Sequence, residues 1–83
     1  MPYIRMEDRV RLEEFGQVLT TGELNYSITQ LLLEYLNYNK LSYQTINDIV
    51  GVLEGAKQEF YRRVAVPYEE SKIRTNGDVY PIG

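Results

Sequence analysis

The fold turns on the stretch LSYQTINDIVGVLEGAKQEFYRRVAV, residues 41–66. Ile46, Ile49, Val50, Leu53, Ala56, Phe60 and Val64 recur at steps of three and four, the spacing of one helix face. Ser42 just ahead of them is a good N-cap, because its hydroxyl can accept from a free amide of the first turn. The spacing therefore predicts a helix from Tyr43 to about Val66, about 35 Å long at 1.5 Å per residue. A seam that long is more than two shorter helices can easily cover. Gly51 and Gly55, four apart on a neighbouring face, read as the mark of a close helix crossing.

Two further helices precede it. Leu12, Phe15 and Leu19 with Val18 predict one over about 6–19, and Glu7 and Asp8 in its first turn suit the helix dipole. Gly16 inside that pattern costs about 1 kcal/mol relative to Ala, so it reads as a packing position. After Thr20-Thr21-Gly22, Leu24, Ile28, Leu31, Leu32, Tyr35 and Leu36 form a wide apolar face over about 23–37. Thr20 and Glu23 have the form of a capping box, with Thr21 as the other candidate cap. Leu33 and Tyr26 lie off that face and suggest a second buried surface. Asn37-Tyr38-Asn39-Lys40 ends the helix, Asn being tolerant of the left-handed conformation.

Pro67 has no amide to donate and its ring clashes with the preceding turn, so the long helix is expected to kink or restart there. Glu69 and Glu70 suit the first turn of a piece over 67–74, Lys72 and Arg74 its last turn, and Asn76-Gly77 is a stop signal. Residues 75–83 form a short tail, of which Val79, Tyr80 or Ile82 is expected to dock on this subunit or a neighbour. The fold class is all-α: a small bundle of three main helices with a Pro-kinked C-terminal extension, in a single domain over 1–83.

Composition narrows the function. Eighty-three residues make one modest core, and self-association is a common remedy for a core this small. The expectation is a homo-oligomer, dimer or tetramer, built through the third helix together with Leu33 and Tyr26. The chain has no cysteine and no histidine, which removes disulfides, thiolate and imidazole metal sites and the usual general base. Glu13-Glu14 and Glu69-Glu70 are adjacent pairs whose side chains point in different directions on a helix, not catalytic dyads. No catalytic residues, metal ligands or cofactor are expected, and the protein is read as not an enzyme. The absence of an apolar run at the start argues against a signal peptide or membrane span, which makes a cytoplasmic protein the expectation.

The charges are unevenly placed. Residues 1–56 carry four basic and eight acidic side chains, whereas 57–74 carry Lys57, Arg62, Arg63, Lys72 and Arg74 against Glu59, Glu69 and Glu70. An acidic body with a local basic end does not suit duplex nucleic acid, which needs an extended positive footprint. A small anionic ligand is compatible with it. Tyr61 and Tyr68 sit among these arginines, and a forked guanidinium beside a ring suits a phosphate and a base. The plainer alternative is that Arg62 and Arg63 pair internally with Glu59, Glu69 or Glu70. The expected ligand-binding residues are Arg62, Arg63, Tyr61, Tyr68, Lys72 and Arg74, with Tyr3 and Arg5 as N-terminal contributions.

The segments Met1-Pro2-Tyr3-Ile4, Leu24-Asn25-Tyr26, Leu41-Ser42-Tyr43, Ile49–Lys57, Glu59–Val64, Pro67-Tyr68-Glu69 and Asn76–Tyr80 cover almost the whole chain. In them the sequence resembles a family of short helical proteins associated with tailed phages and prophages. The resemblance brings no established activity. It implies a small phage accessory protein in the host cytoplasm, and by analogy an anti-defence sponge that sequesters a cyclic dinucleotide. Two other readings stay open: a protein-interaction module or inhibitor of a host or phage protein, and a phage structural or assembly factor.

Overall fold

A computed structural model describes residues 3–81, and every element among them is helical. In chain order these are α1 (Met6–Phe15), α2 (Thr21–Asn39), α3 (Tyr43–Phe60), a π-helical segment (Tyr61–Ala65) and α4 (Val66–Asn76). The chain divides into two compact units, Met1–Ile46 and Asn47–Gly83.

In the first unit α1 ends at Phe15, not at Leu19. Gly16 adopts φ +69° and its amide bonds back to the Leu12 carbonyl, a left-handed C-cap that glycine takes at no steric cost. The glycine therefore terminates the helix, and a Cβ placed there would meet nothing within 4 Å, so no packing role attaches to it. Val18 and Leu19 lie in the connection that follows. Thr20 is the cap of α2: its Oγ1 accepts from the Glu23 amide at 3.1 Å, while Glu23 Oε1 accepts from the Leu19 amide at 2.9 Å. The helix starts at Thr21 and runs to Asn39, two residues beyond expectation at each end. Lys40, rather than an asparagine, takes the positive φ of 72° at its close.

The face of α2 that meets α1 is not the apolar one. Arg11 pairs with Glu23, Arg9 lies over the Tyr26 ring at 5.5 Å, and Leu12 packs beside them. Leu12 is the one buried hydrophobic residue among those described, at 8% exposure, while Leu24, Ile28, Leu31, Leu33 and Tyr35 remain exposed. Tyr26 faces α1 through Arg9, whereas Leu33 is exposed on the chain. Helix α2 is thus turned so that a polar network, more than its leucine stripe, holds α1.

Ser42 caps α3 as its chemistry suggests, accepting from the Thr45 amide at 3.1 Å. The second unit is helical without a break from Asn47 to Asn76, so the chain neither stops nor restarts at Pro67. Instead the turn before the proline opens into π geometry, with the Val66 amide bonding to the Tyr61 carbonyl five residues back. A proline inside a helix removes one donor and crowds the carbonyl a turn earlier; a widened turn relieves that crowding. The α4 helix closes at Gly77, φ +88°. Val79 and Tyr80 are exposed, so neither docks in the unit; Ile82, like Met1 and Pro2, lies outside the described residues.

Gly51 and Gly55 are exposed helical residues with nothing within 4 Å of an added Cβ. At about 100° per residue they point roughly away from the Ile46–Val64 seam. The expected close crossing is absent among the described residues. Alanine at each should then stabilise the helix by about 0.5–1 kcal/mol, because glycine costs that much in a helix interior. Urea denaturation of the double Gly→Ala variant followed by far-UV circular dichroism reads this out. A loss of stability would show that a methyl at these positions meets a neighbour.

Candidate functional site

The basic, aromatic stretch begins on the π segment, where Tyr61, Arg62 and Arg63 follow one another, and extends into α4 with Tyr68, Lys72 and Arg74. Glu59, one turn earlier, takes both arginines: Arg62 Nη2 pairs with its Oε2, and Arg63 Nη1 lies 3.7 Å from its Oε1. Spacings of three and four bring these side chains together on a helix. The internal alternative for these arginines is therefore realised through Glu59. All three side chains are more than half exposed, so the pairs contribute little stability. Each guanidinium carries five donors, and the cluster keeps a surplus of one positive charge.

Tyr61 and Arg62 also line an open hollow of about 440 Å³ with Glu54, Lys57 and Gln58. Hydrogen bonding from Gln58, at 3.1 Å, and the charge of Lys57 lower the Glu54 carboxyl below its ordinary range. Lys72 lies over the Tyr68 ring, its Nζ 5.4 Å from the centroid, an arrangement in which the ring face is already used by a cation. Arg74 sits about 160° round the helix from Lys72, so those two cations do not converge. Tyr3 is exposed, and Arg5 pairs with Glu7 at 2.6 Å; both belong to the first unit. The structure thus brings together Tyr61 with Arg62, and Tyr68 with Lys72, as two local pairs along one helix. No group of three or more His, Cys, Asp or Glu side chains that could hold a metal ion occurs among the described residues.

Residues that sequence reading did not single out as site members are Glu54, Lys57 and Gln58, which sit one turn before the arginines. Their signal was present in the i, i+3 and i, i+4 spacing of Glu54 with Lys57 and Gln58. The larger feature of this helix is apolar. Along α3 and the π segment Val50, Leu53, Phe60 and Val64 are all exposed, Phe60 to 65%. No described helix is long and apolar enough to cross a membrane.

Every element among the described residues is helical, with exposed apolar side chains along α3 and a basic, aromatic stretch after it. The chain belongs to the family described as Domain of unknown function (DUF6899), whose model matches residues 1–79. No curated protein and no solved structure matches it.

Proposed function

We propose that the chain is a non-enzymatic protein-interaction module that works through the apolar face of α3. One observation carries this reading: Val50, Leu53, Phe60 and Val64 form one stripe on a continuous helix and stand in solvent. Exposed apolar patches on small proteins mark interaction sites, and aromatic side chains flanked by arginines are frequent anchors in them. Tyr61, which follows Phe60 at the end of the stripe, adds a second exposed ring there. In the phage setting that the sequence resemblance implies, the module acts in the host cytoplasm as an accessory protein or inhibitor. A photo-crosslinking residue introduced at Leu53 in bacterial cells should yield protein adducts, and one at Gly51 on the opposite face far fewer. Equal adducts from both positions, or none from Leu53, overturn the reading.

A second reading, sequestration of a phosphorylated small ligand such as a cyclic dinucleotide, is favoured by the surplus positive charge of Arg62 and Arg63 beside Tyr61. Phosphate oxygens would compete with Glu59 for the guanidinium donors, and Lys72 would have to leave Tyr68 before a base could stack there. A thermal-shift screen against mono-, di- and cyclic nucleotides tests it. The expected result is a rise in melting temperature that falls with added salt and is lost in Arg62→Ala and Tyr68→Ala. A flat screen, with no heat of binding by calorimetry at high protein concentration, removes this reading.

A further inference from the structure

We infer that the π turn ahead of Pro67 sets the phase of α4, carrying Tyr68 and Lys72 onto the face of Leu53 and Phe60. The phase follows from this helix alone, and all of its residues belong to one compact unit, Asn47–Gly83. That Tyr68 joins a binding face rests on the interaction reading above. In an α-helix each residue turns about 100°, so a step of four overshoots a full turn by about 40°. Leu53, Ala56 and Phe60 mix steps of three and four and stay within about 60° of one another. Phe60, Val64, Tyr68 and Lys72 are each four apart. On an unbroken α-helix that run drifts, leaving Tyr68 about 80° and Lys72 about 120° from Phe60, with Ser71 in line instead.

The bond from the Val66 amide to the Tyr61 carbonyl closes a turn one residue longer than an α turn. One extra residue in a turn sets everything after it back by about 100°. Tyr68 and Lys72 then lie about 20° to either side of Phe60, and Ser71 moves about 80° off the face. The stripe of Leu53, Phe60 and Val64 therefore does not end at the π segment. It runs on to an exposed ring that carries an ammonium, Lys72 Nζ standing 5.4 Å from the Tyr68 centroid.

Pro67 holds the turn open. An amide at that position could close an α bond to the Arg63 carbonyl, whereas the pyrrolidine ring has no donor and crowds that carbonyl. The proline itself points about 120° away from Phe60, off the stripe. It is thus a positioning residue, acting on the face only through the phase of the helix that follows it.

The absence of native cysteine makes the test direct, because spin labels can be placed in chosen pairs. Labels on Phe60→Cys with Tyr68→Cys span the π turn, and labels on Val52→Cys with Phe60→Cys have the same eight-residue spacing within α3. Dipolar broadening in the electron paramagnetic resonance spectrum should be about twofold or more greater for the first pair, since its labels share a face and the others stand about 80° apart. Adding Pro67→Ala should lower the first pair to the level of the second while far-UV circular dichroism stays helical. In cells, a photo-crosslinking residue at Tyr68 should give adducts of the same masses as one at Leu53, and fewer of them in the Pro67→Ala chain. Equal broadening of the two pairs in the parent chain, or broadening of the first that Pro67→Ala leaves unchanged in a helical chain, overturns the inference and leaves the interaction reading to the Leu53 result. Close labels with adducts from Leu53 but none from Tyr68 overturn the place of Tyr68 on the binding face. No adducts from Leu53 remove the interaction reading, and the label pairs then decide the phase alone.

Discussion

Leu12→Ala is expected to lower stability by about 2–3 kcal/mol, toward the lower end for a buried leucine because an open groove adjoins it. The groove is bounded by Leu12, Glu13, Tyr26, Ser27, Gln30, Leu31 and Glu34 and gives the neighbours room to relax. The consequence is larger than the energy suggests. Helix α1 has ten residues, and isolated helices below about 12–15 residues are marginal in water. Without Leu12 the α1 helix keeps only the Arg9 and Arg11 contacts to α2, and its amides should exchange with solvent much faster while those of α2 stay protected. Hydrogen exchange by NMR or mass spectrometry measures this. Phe15→Ala is the control, since that ring is exposed and its removal should change stability by less than about 0.5 kcal/mol. Equal effects at the two positions would mean that α1 is not held through Leu12.

The second large effect is acid sensitivity centred on Glu23. Its side chain is buried, at 4% exposure, and takes a hydrogen bond from Arg11 and another from the Leu19 amide. These bonds favour the carboxylate over its protonated form and hold its pKa below the ordinary carboxylate value, Arg11 being the leading cause. A carboxyl whose folded-state pKa is depressed contributes stability above its unfolded pKa, near 4.5, and loses that contribution as the pH falls through the folded-state value. The urea midpoint should therefore decline below about pH 5. Glu23→Gln should be less stable at pH 7 and have a shallower acid limb, because the group that binds the extra proton is gone. Glu54 is shifted in the same direction by Gln58 and Lys57, so Glu54→Gln supplies the comparison. An acid limb unchanged in Glu23→Gln would mean that the Arg11–Glu23 pair does not couple folding to pH. Loss of the pair also leaves Arg11 near the polar face of α2 with Asp8, 3.8 Å away, and the Gln17 carbonyl, to which it donates at 2.7 Å, so part of the cost falls on the partner.

What the sequence determined by itself was local. Apolar residues at steps of three and four made each long segment helical, and the hydroxyls of Thr20 and Ser42 reach amides three residues on, so both N-caps were legible. Gly77 as the stop follows from a conformation only that residue takes cheaply. The arginine–glutamate pairs were legible as an alternative for the same reason, since Glu59, Arg62 and Arg63 are one turn apart. Tertiary structure decided the rest. Gly16 could sit in a helix or end one, and only the closing bond to Leu12 tells which. Pro67 could kink or restart a helix, and the helical backbone runs on through it behind a π turn closed by the Val66–Tyr61 bond. Most of all, the leucine stripe of α2 predicted where apolar surface lies but not which surface meets α1. That choice fell to Arg11, Glu23, Arg9 and Tyr26, whose charge and ring contacts span two helices. Periodicity specifies which residues share a face. Which faces meet depends on partners distant in the sequence.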